Sequence, residues 1–142
     1  MIHEDPKKVV KVLVVEDEEA MWDFMDIFFR RQFARFAVDV HLTFEVSLPE
    51  RAIGFDMVSL DNNLVGGEMI QDLPERPELV EDLRQTPVVN IHSGSGEDIF
   101  ADVRRILGAH AGLMAIQKFA MSPLSKVEYP FELACRRCFE AA

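Results

Sequence analysis

The chain has little cysteine, the residue whose disulfides stabilise many small extracellular domains. It contains two cysteines, Cys135 and Cys138, separated by Arg136 and Arg137 in a segment that is predicted to be helical. A zinc site needs further ligands at suitable spacing, and the sequence has no second cysteine pair. We therefore expect two part-buried helical thiols rather than half of a metal site, a redox pair or a disulfide framework.

Long apolar runs are also missing. No run approaches the roughly 20 apolar residues that a membrane-spanning helix needs. The segment from Met1 to Lys8 is polar and has no apolar region of the kind found in secretory signal peptides. A soluble, cytoplasmic protein is therefore expected.

Basic residues are in the minority, with 15 Lys and Arg against 25 Asp and Glu and a formal net charge of -10. A surface this acidic repels the phosphate backbone, so direct binding to DNA or RNA is disfavoured. Hydrophobic residues make up 49% of the chain, which is enough for a sizeable core, and 142 residues is the usual size of one domain. The sequence predicts a single domain over residues 1–142, with its core at about residues 9–140.

Short apolar runs alternate with longer amphipathic stretches five times along the chain. The predicted strands are Val9–Val15, Ala37–Thr43, Met57–Leu60, Pro87–Ile91 and Leu113–Ile116. The predicted helices are Ala20–Phe36, a short one at Ser47–Ile53, Met69–Gln85 with a break or kink at Pro74 and Pro77, Glu97–Leu107, and one in the tail from Ser125 with an interruption near Pro130. This alternation predicts an α/β domain with a five-stranded parallel sheet and helices on both faces.

Side chains that can carry chemistry follow four of the five predicted strands. In chain order they are Glu16, Asp17, Asp61, His92, Ser93 and Lys118. Because ligands of an open parallel sheet bind beyond the carboxyl ends of its strands, these side chains are expected to converge on one edge. Crowded carboxylates favour a hard divalent cation such as Mg²⁺, which also neutralises a phosphoryl group. A lysine or a hydroxyl can then contact the phosphoryl oxygens, and a carboxylate can form an acyl phosphate.

These residues resemble the receiver domain of bacterial response regulators. The stretch from Lys11 to Glu19 (KVLVVEDEE) is similar to the first strand and acidic pair of that family. Asp61 stands at the end of the third strand, as the phosphoacceptor of the family does, and Lys118 ends the fifth strand, as its active-site lysine does. The resemblance extends to about Ser122 and implies a doubly wound, flavodoxin-like fold.

The resemblance also implies roles for these residues. Asp17 and Asp61 would bind Mg²⁺ directly, Glu16 through water, and Asn63 through its backbone carbonyl. Asp61 would accept a phosphoryl group, assisted by Lys118, from a histidine kinase or a phosphotransfer protein of a two-component phosphorelay. Phosphorylation would be detected by other proteins through direct contacts, so a downstream protein and a second copy of the chain are the further expected partners. Neither a nucleic acid nor a membrane is an expected partner.

The sequence departs from the family close to the acceptor. Val65 and Phe119 stand where prolines are usual, and the simplest alignment puts His92, rather than Ser93, at the position of a phosphate-binding hydroxyl. Ser59 to Leu64 (SLDNNL) and the His92-Ser93 pair are similar to a divergent receiver subfamily proposed to process cyclic phosphates. Three hypotheses therefore stay open. The chain is a phosphoacceptor in signalling, an enzyme in which His92 and Ser93 act on a phosphoester, or a degenerate receiver that only binds a protein.

Overall fold

Strands and helices alternate through the part of the chain that the computed structural model describes, residues 9–61, 70–92, 97–115 and 128–140. The strands are β1 (Val9–Val15), β2 (Asp39–Glu45), β3 (Met57–Leu60), β4 (Val88–Ile91) and β5 (Leu113–Ala115). The α-helices are α1 (Glu19–Ala34), α2 (Pro77–Gln85), α3 (Glu97–Leu107) and α4 (Glu128–Glu140), and a 3-10 helix spans Ile70–Glu75. None of the described helices is long and apolar enough to cross a membrane.

All five strands are parallel and lie in the order β2-β1-β3-β4-β5. The chain moves outward from β1 to β2, then returns past β1 and continues to the other side of the sheet. This reversal places a topological switch point between β1 and β3, where the carboxyl ends of the strands leave a crevice. The predicted five-stranded parallel sheet with helices on both faces is confirmed.

Each face of the sheet has its own apolar core, which is why the central strands are apolar at nearly every position. On one face, Val12 and Val14 of β1 pack with the buried side of α1 and with α4. On the other face, Leu13 and Val15 of β1 pack with the 3-10 helix, α2 and α3. Phe131 joins α4 to α1, because its fully buried ring meets three phenylalanines of α1 edge to face. The ring centroids lie 5.8 Å from Phe28, 5.8 Å from Phe29 and 4.9 Å from Phe33.

Both cysteines are free thiols on α4. Cys135 is buried, and this burial raises the pKa of its thiol to about 12. Cys138 is half-buried and donates a weak hydrogen bond to the carbonyl oxygen of Val9, with a sulfur–oxygen distance of 3.6 Å. The prediction that both thiols lie on a helix is confirmed, and Cys135 is buried rather than part-buried.

The effects of the prolines differ from the prediction in two places. The short helix predicted at Ser47–Ile53 is wrong, because Pro49 has no N–H to donate and disfavours a helical backbone at the residue before it. The interruption predicted near Pro130 is also wrong. Pro130 lies in the first turn of α4, where an N–H has no partner within the helix. The interruption predicted at Pro77 is confirmed, since α2 begins at Pro77 after the 3-10 helix. Pro74 instead lies inside the 3-10 helix.

A carboxylate of α2 holds the irregular connection between β2 and β3 in place. Arg51 donates hydrogen bonds from Nε and Nη2 to Asp82, at 2.9 and 3.0 Å. The backbone N–H of Ala52 donates to the same carboxylate at 2.9 Å. The hydrogen bond from Arg51 is the main reason that the pKa of Asp82 is lowered, and the bond from Ala52 adds to it.

We expect Phe131→Ala to lower the free energy of unfolding by about 3–5 kcal/mol, because it leaves a cavity between α1 and α4. The matched control is Phe139→Ala, on the same helix but 57% exposed. This control should change stability by no more than about 0.5 kcal/mol. Urea unfolding followed by circular dichroism measures both, and equal midpoints for the two variants would contradict the packing of α4 described above.

We expect the stability contributed by the charge of Asp82 to depend on pH. Its folded pKa lies below the ordinary value of 3.8, so the contribution is complete above that pH and is lost as the pH falls through the folded pKa. The stability difference between the wild type and Asp82→Asn should therefore be constant from pH 7 to about pH 5 and shrink below about pH 4.

Glu78→Gln is the control for Asp82→Asn. Glu78 also approaches Arg51, at 3.7 Å, but its side chain is 75% exposed, and such pairs contribute little to stability. Urea unfolding at several pH values tests the comparison. If the difference in the free energy of unfolding between the wild type and Asp82→Asn stays constant below about pH 4, the charge of Asp82 does not stabilise the connection.

Candidate metal centre

Three polar side chains lie in one row at the C-terminal edge of the sheet. The last residues of β1, β3 and β4 lie opposite one another in the strand register, and each is followed directly by a polar residue. These polar residues are Glu16, Asp61 and His92. The backbone ladder continues into this row, since Asp61 N–H donates to Val15 and His92 N–H donates to Leu60, both at 2.9 Å. The ends of the strands therefore fix where the three side chains begin.

The three side chains also converge. One ligand atom from each of Glu16, Asp61 and His92 lies within 4.8 Å of the other two. The distance between His92 Nε2 and Glu16 Oε1 is 4.0 Å. Glu16 and His92 are fully buried, and Asp61 is 4% exposed. Two carboxylates held this close in a buried site repel one another, so the arrangement favours a positively charged partner.

Two further buried residues orient the imidazole of His92. Its Nδ1 lies 2.7 Å from Ser59 Oγ, and Asn90 Nδ2 donates to the same hydroxyl at 3.0 Å. Ser59 and Asn90 are register partners, two residues before Asp61 and His92, and both are fully buried. Because Nδ1 faces Ser59, Nε2 is the ring nitrogen that faces Glu16.

Sequence reasoning missed Ser59 and Asn90 as parts of the site. A signal for them exists, because each is the one polar residue in a four-residue strand that is buried throughout. A polar side chain in such a strand needs a hydrogen-bonding partner, and two of them in register supply one to each other.

The single tryptophan of the chain lies beside the site. Trp22, in the first part of α1, donates from Nε1 to the backbone carbonyl oxygen of Glu16 at 2.8 Å. Its ring stacks on Phe44 of β2, with the ring centroids 5.3 Å apart. This contact fixes the backbone of Glu16, so we expect the fluorescence of Trp22 to report changes at the site.

The other predicted site residues fall into two groups. Asp17 is half-buried, and its carboxylate is not part of the converging group. The other three predicted residues are Asn63, Ser93 and Lys118. They lie outside the described residues, so their roles stay predictions.

The described donor set fits a divalent cation. Glu16 and Asp61 offer the carboxylate oxygens that Mg²⁺ prefers. His92 adds an imidazole nitrogen, which is a usual ligand of transition metals rather than of Mg²⁺.

No protein-family model and no curated protein sequence matches this chain. Among solved structures, a pilus assembly-related protein from Burkholderia pseudomallei is similar with a TM-score of 0.54 at 11% identity, covering 96% of this chain and 97% of that chain. A signal receiver domain of a DNA-binding response regulator from Colwellia psychrerythraea has a TM-score of 0.47 at 14% identity, covering 92% and 98%. A flavodoxin from Streptococcus pneumoniae has a TM-score of 0.45 at 13% identity, covering 94% and 99%.

The chain has a receiver-like, flavodoxin-like fold. Its strand order is the one that defines this group of doubly wound sheets. The Burkholderia protein resembles this chain in structure over nearly the whole of both chains. At 11% identity the likeness concerns the fold alone.

We expect Ser59→Ala to lower the free energy of unfolding by about 1–3 kcal/mol, because Asn90 and His92 each lose a buried hydrogen-bonding partner. Ser47→Ala, in the exposed part of the β2–β3 connection, is the matched control and should change stability by less than about 0.5 kcal/mol. Chemical unfolding measures both. If Ser59→Ala unfolds at the same urea concentration as Ser47→Ala, the buried chain of hydrogen bonds does not contribute as described.

Proposed function

We propose that this chain is a receiver-type domain that binds a divalent cation at Glu16 and Asp61 and accepts a phosphoryl group on Asp61. One observation carries the proposal. Asp61 ends β3 with its carboxylate within 4.8 Å of a second buried carboxylate and of an imidazole, at the sheet edge where such folds bind their ligands. The resemblance of the sequence to receiver domains supports the same role for Asp61.

The proposed reaction is phosphoryl transfer to a carboxylate. An oxygen of Asp61 attacks the phosphorus of a phosphohistidine or of acetyl phosphate, and an acyl phosphate bond forms. The bond from phosphorus to the nitrogen or oxygen of the donor breaks, and the leaving group keeps its electron pair. A bound divalent cation supplies the positive charge that neutralises the phosphoryl oxygens.

The chain's own residues position the acceptor. Backbone hydrogen bonds at the ends of β3 and β4 fix Asp61 and His92 in one row. The burial of Asp61 limits the access of water, which would otherwise hydrolyse the acyl phosphate. Lys118 and Mg²⁺ belong to the proposal on the strength of the sequence resemblance.

The proposed partners are a histidine kinase or phosphotransfer protein as donor and a further protein that reads the phosphorylated state. Two exposed apolar side chains on α1 support a protein contact there, since Phe24 and Ile27 lie three residues apart and are 51% and 53% exposed. Helical residues three apart share a face, so these two side chains form one patch.

A specific observation also favours a second candidate function, which is the hydrolysis of phosphoesters, including cyclic phosphoesters. His92 is oriented by Ser59 in the way that a catalytic base is oriented by a third group. In that reaction water attacks phosphorus and His92 Nε2 takes a proton from the water. The ester oxygen leaves with its electron pair and takes that proton from the imidazolium of His92.

We expect the wild type to gain one phosphoryl group from acetyl phosphate in the presence of Mg²⁺ or Mn²⁺, and Asp61→Asn to gain none. Intact-protein mass spectrometry measures the gain. Asp23→Asn, an exposed carboxylate on α1, is the matched control and should be labelled like the wild type.

An unlabelled wild type, or labelling that survives Asp61→Asn, would sink the phosphoacceptor proposal. The same preparations are incubated with a 2′,3′-cyclic nucleotide. Turnover that is lost in His92→Gln and present in Asp23→Asn supports the second candidate, and no turnover with either cation contradicts it.

A further inference from the structure

Building on the proposed phosphoryl site, we infer that His92 is a metal ligand through Nε2, and that the site therefore prefers a divalent transition-metal ion such as Mn²⁺ to Mg²⁺. The sequence resemblance implied a site of oxygen ligands, with a hydroxyl at the position of His92. Three features of this chain lead to a different donor set.

The first feature is the spacing of the donor atoms. The 4.0 Å between His92 Nε2 and Glu16 Oε1 is too long for a hydrogen bond between them. Ligand atoms that each lie about 2.1 Å from one ion are separated by about 3 Å at right angles and about 4 Å across the ion. The 4.0 Å between His92 Nε2 and Glu16 Oε1 therefore suits two ligands on opposite sides of one ion, and Asp61 offers a third donor within 4.8 Å of both.

The second feature is the hydrogen bonding of the imidazole. A metal-bound Nε2 must be unprotonated, so the proton of the neutral ring has to reside on Nδ1. Nδ1 lies 2.7 Å from Ser59 Oγ, which has two lone pairs and accepts one hydrogen bond from Asn90. The second lone pair can accept Nδ1–H. This is the type of outer partner that fixes the orientation and tautomer of metal-binding histidines.

The third feature is the burial of the donors. Glu16 and His92 are fully buried and Asp61 nearly so. Mg²⁺ gives up its water ligands reluctantly and favours oxygen, so a closely enclosed site with a nitrogen donor binds it weakly. First-row transition ions accept imidazole readily, so the same set of donors favours them.

Ligation has a consequence for the choice between the two proposed functions. The lone pair of His92 Nε2 that binds a metal ion is the same one that would accept a proton from water. Metal ligation therefore excludes His92 as the general base of the second candidate reaction.

The test is pulsed electron paramagnetic resonance of Mn²⁺ bound to the wild-type protein. A directly bound imidazole couples its nitrogen nucleus to the Mn²⁺ electrons, which is a signal that carboxylate and water ligands do not give. We expect this nitrogen coupling in the wild type and in His41→Gln, a control at an exposed position of β2, and its loss in His92→Gln.

Titrations followed by the fluorescence of Trp22 give the affinities. We expect the wild type to bind Mn²⁺ at least about tenfold more tightly than Mg²⁺, and His92→Gln to lose most of this preference by weakening Mn²⁺ alone. Absence of nitrogen coupling in the wild type contradicts the inference by itself, so the inference can be overturned even if the variant does not fold.

Mn²⁺ bound without nitrogen coupling, or equal affinities of the wild type for the two cations, would overturn the inference. The acetyl phosphate experiment separates this failure from that of the proposed function. Labelling of Asp61 without nitrogen coupling overturns only the ligand role of His92. Nitrogen coupling without labelling overturns only phosphoryl acceptance and leaves the metal site in place.

Discussion

Burial of two carboxylates and an imidazole at the end of an apolar sheet is the constraint around which this structure is arranged. Taking carboxylates out of water is unfavourable unless charge or hydrogen bonds replace the lost hydration. The parallel strands meet this condition by geometry, because their register brings Glu16, Asp61 and His92 into one row. A one-residue shift in the register of any of these strands would break the row, so the strand pairing and the site depend on each other.

The packing of the helices supports that register. On one face, the ring of Phe131 packs α4 against α1. Helix α1 also carries Trp22, whose hydrogen bond fixes the backbone of Glu16. On the other face, Asp82 of α2 holds the connection that leads into β3, the strand that ends at Asp61. The apolar core and the polar row are therefore linked through a few specific contacts.

Much of this arrangement could be predicted from the sequence, and the exceptions have physical causes. The runs of β1 and β3 were predicted to the residue, because strands covered on both faces are apolar throughout. The start of β2 was placed two residues early, since Ala37 has a left-handed backbone (φ 56°) that ends the turn after α1 and cannot begin a strand. The convergence of Glu16, Asp61 and His92 follows from topology alone. The orientation of His92 does not, because it depends on hydrogen bonds of Ser59 and Asn90 that only the paired strands reveal.

The central claim is that the row at the sheet edge binds a divalent cation beside a phosphoryl acceptor. A crystal structure of the protein with Mn²⁺ and beryllium fluoride, a mimic of an acyl phosphate, tests it most directly, with diffraction data collected at the manganese absorption edge. The account predicts an anomalous peak in contact with Glu16, Asp61 and His92, and beryllium fluoride on the carboxylate of Asp61. A manganese peak away from this row, or a row that holds no ion at saturating Mn²⁺, would contradict it.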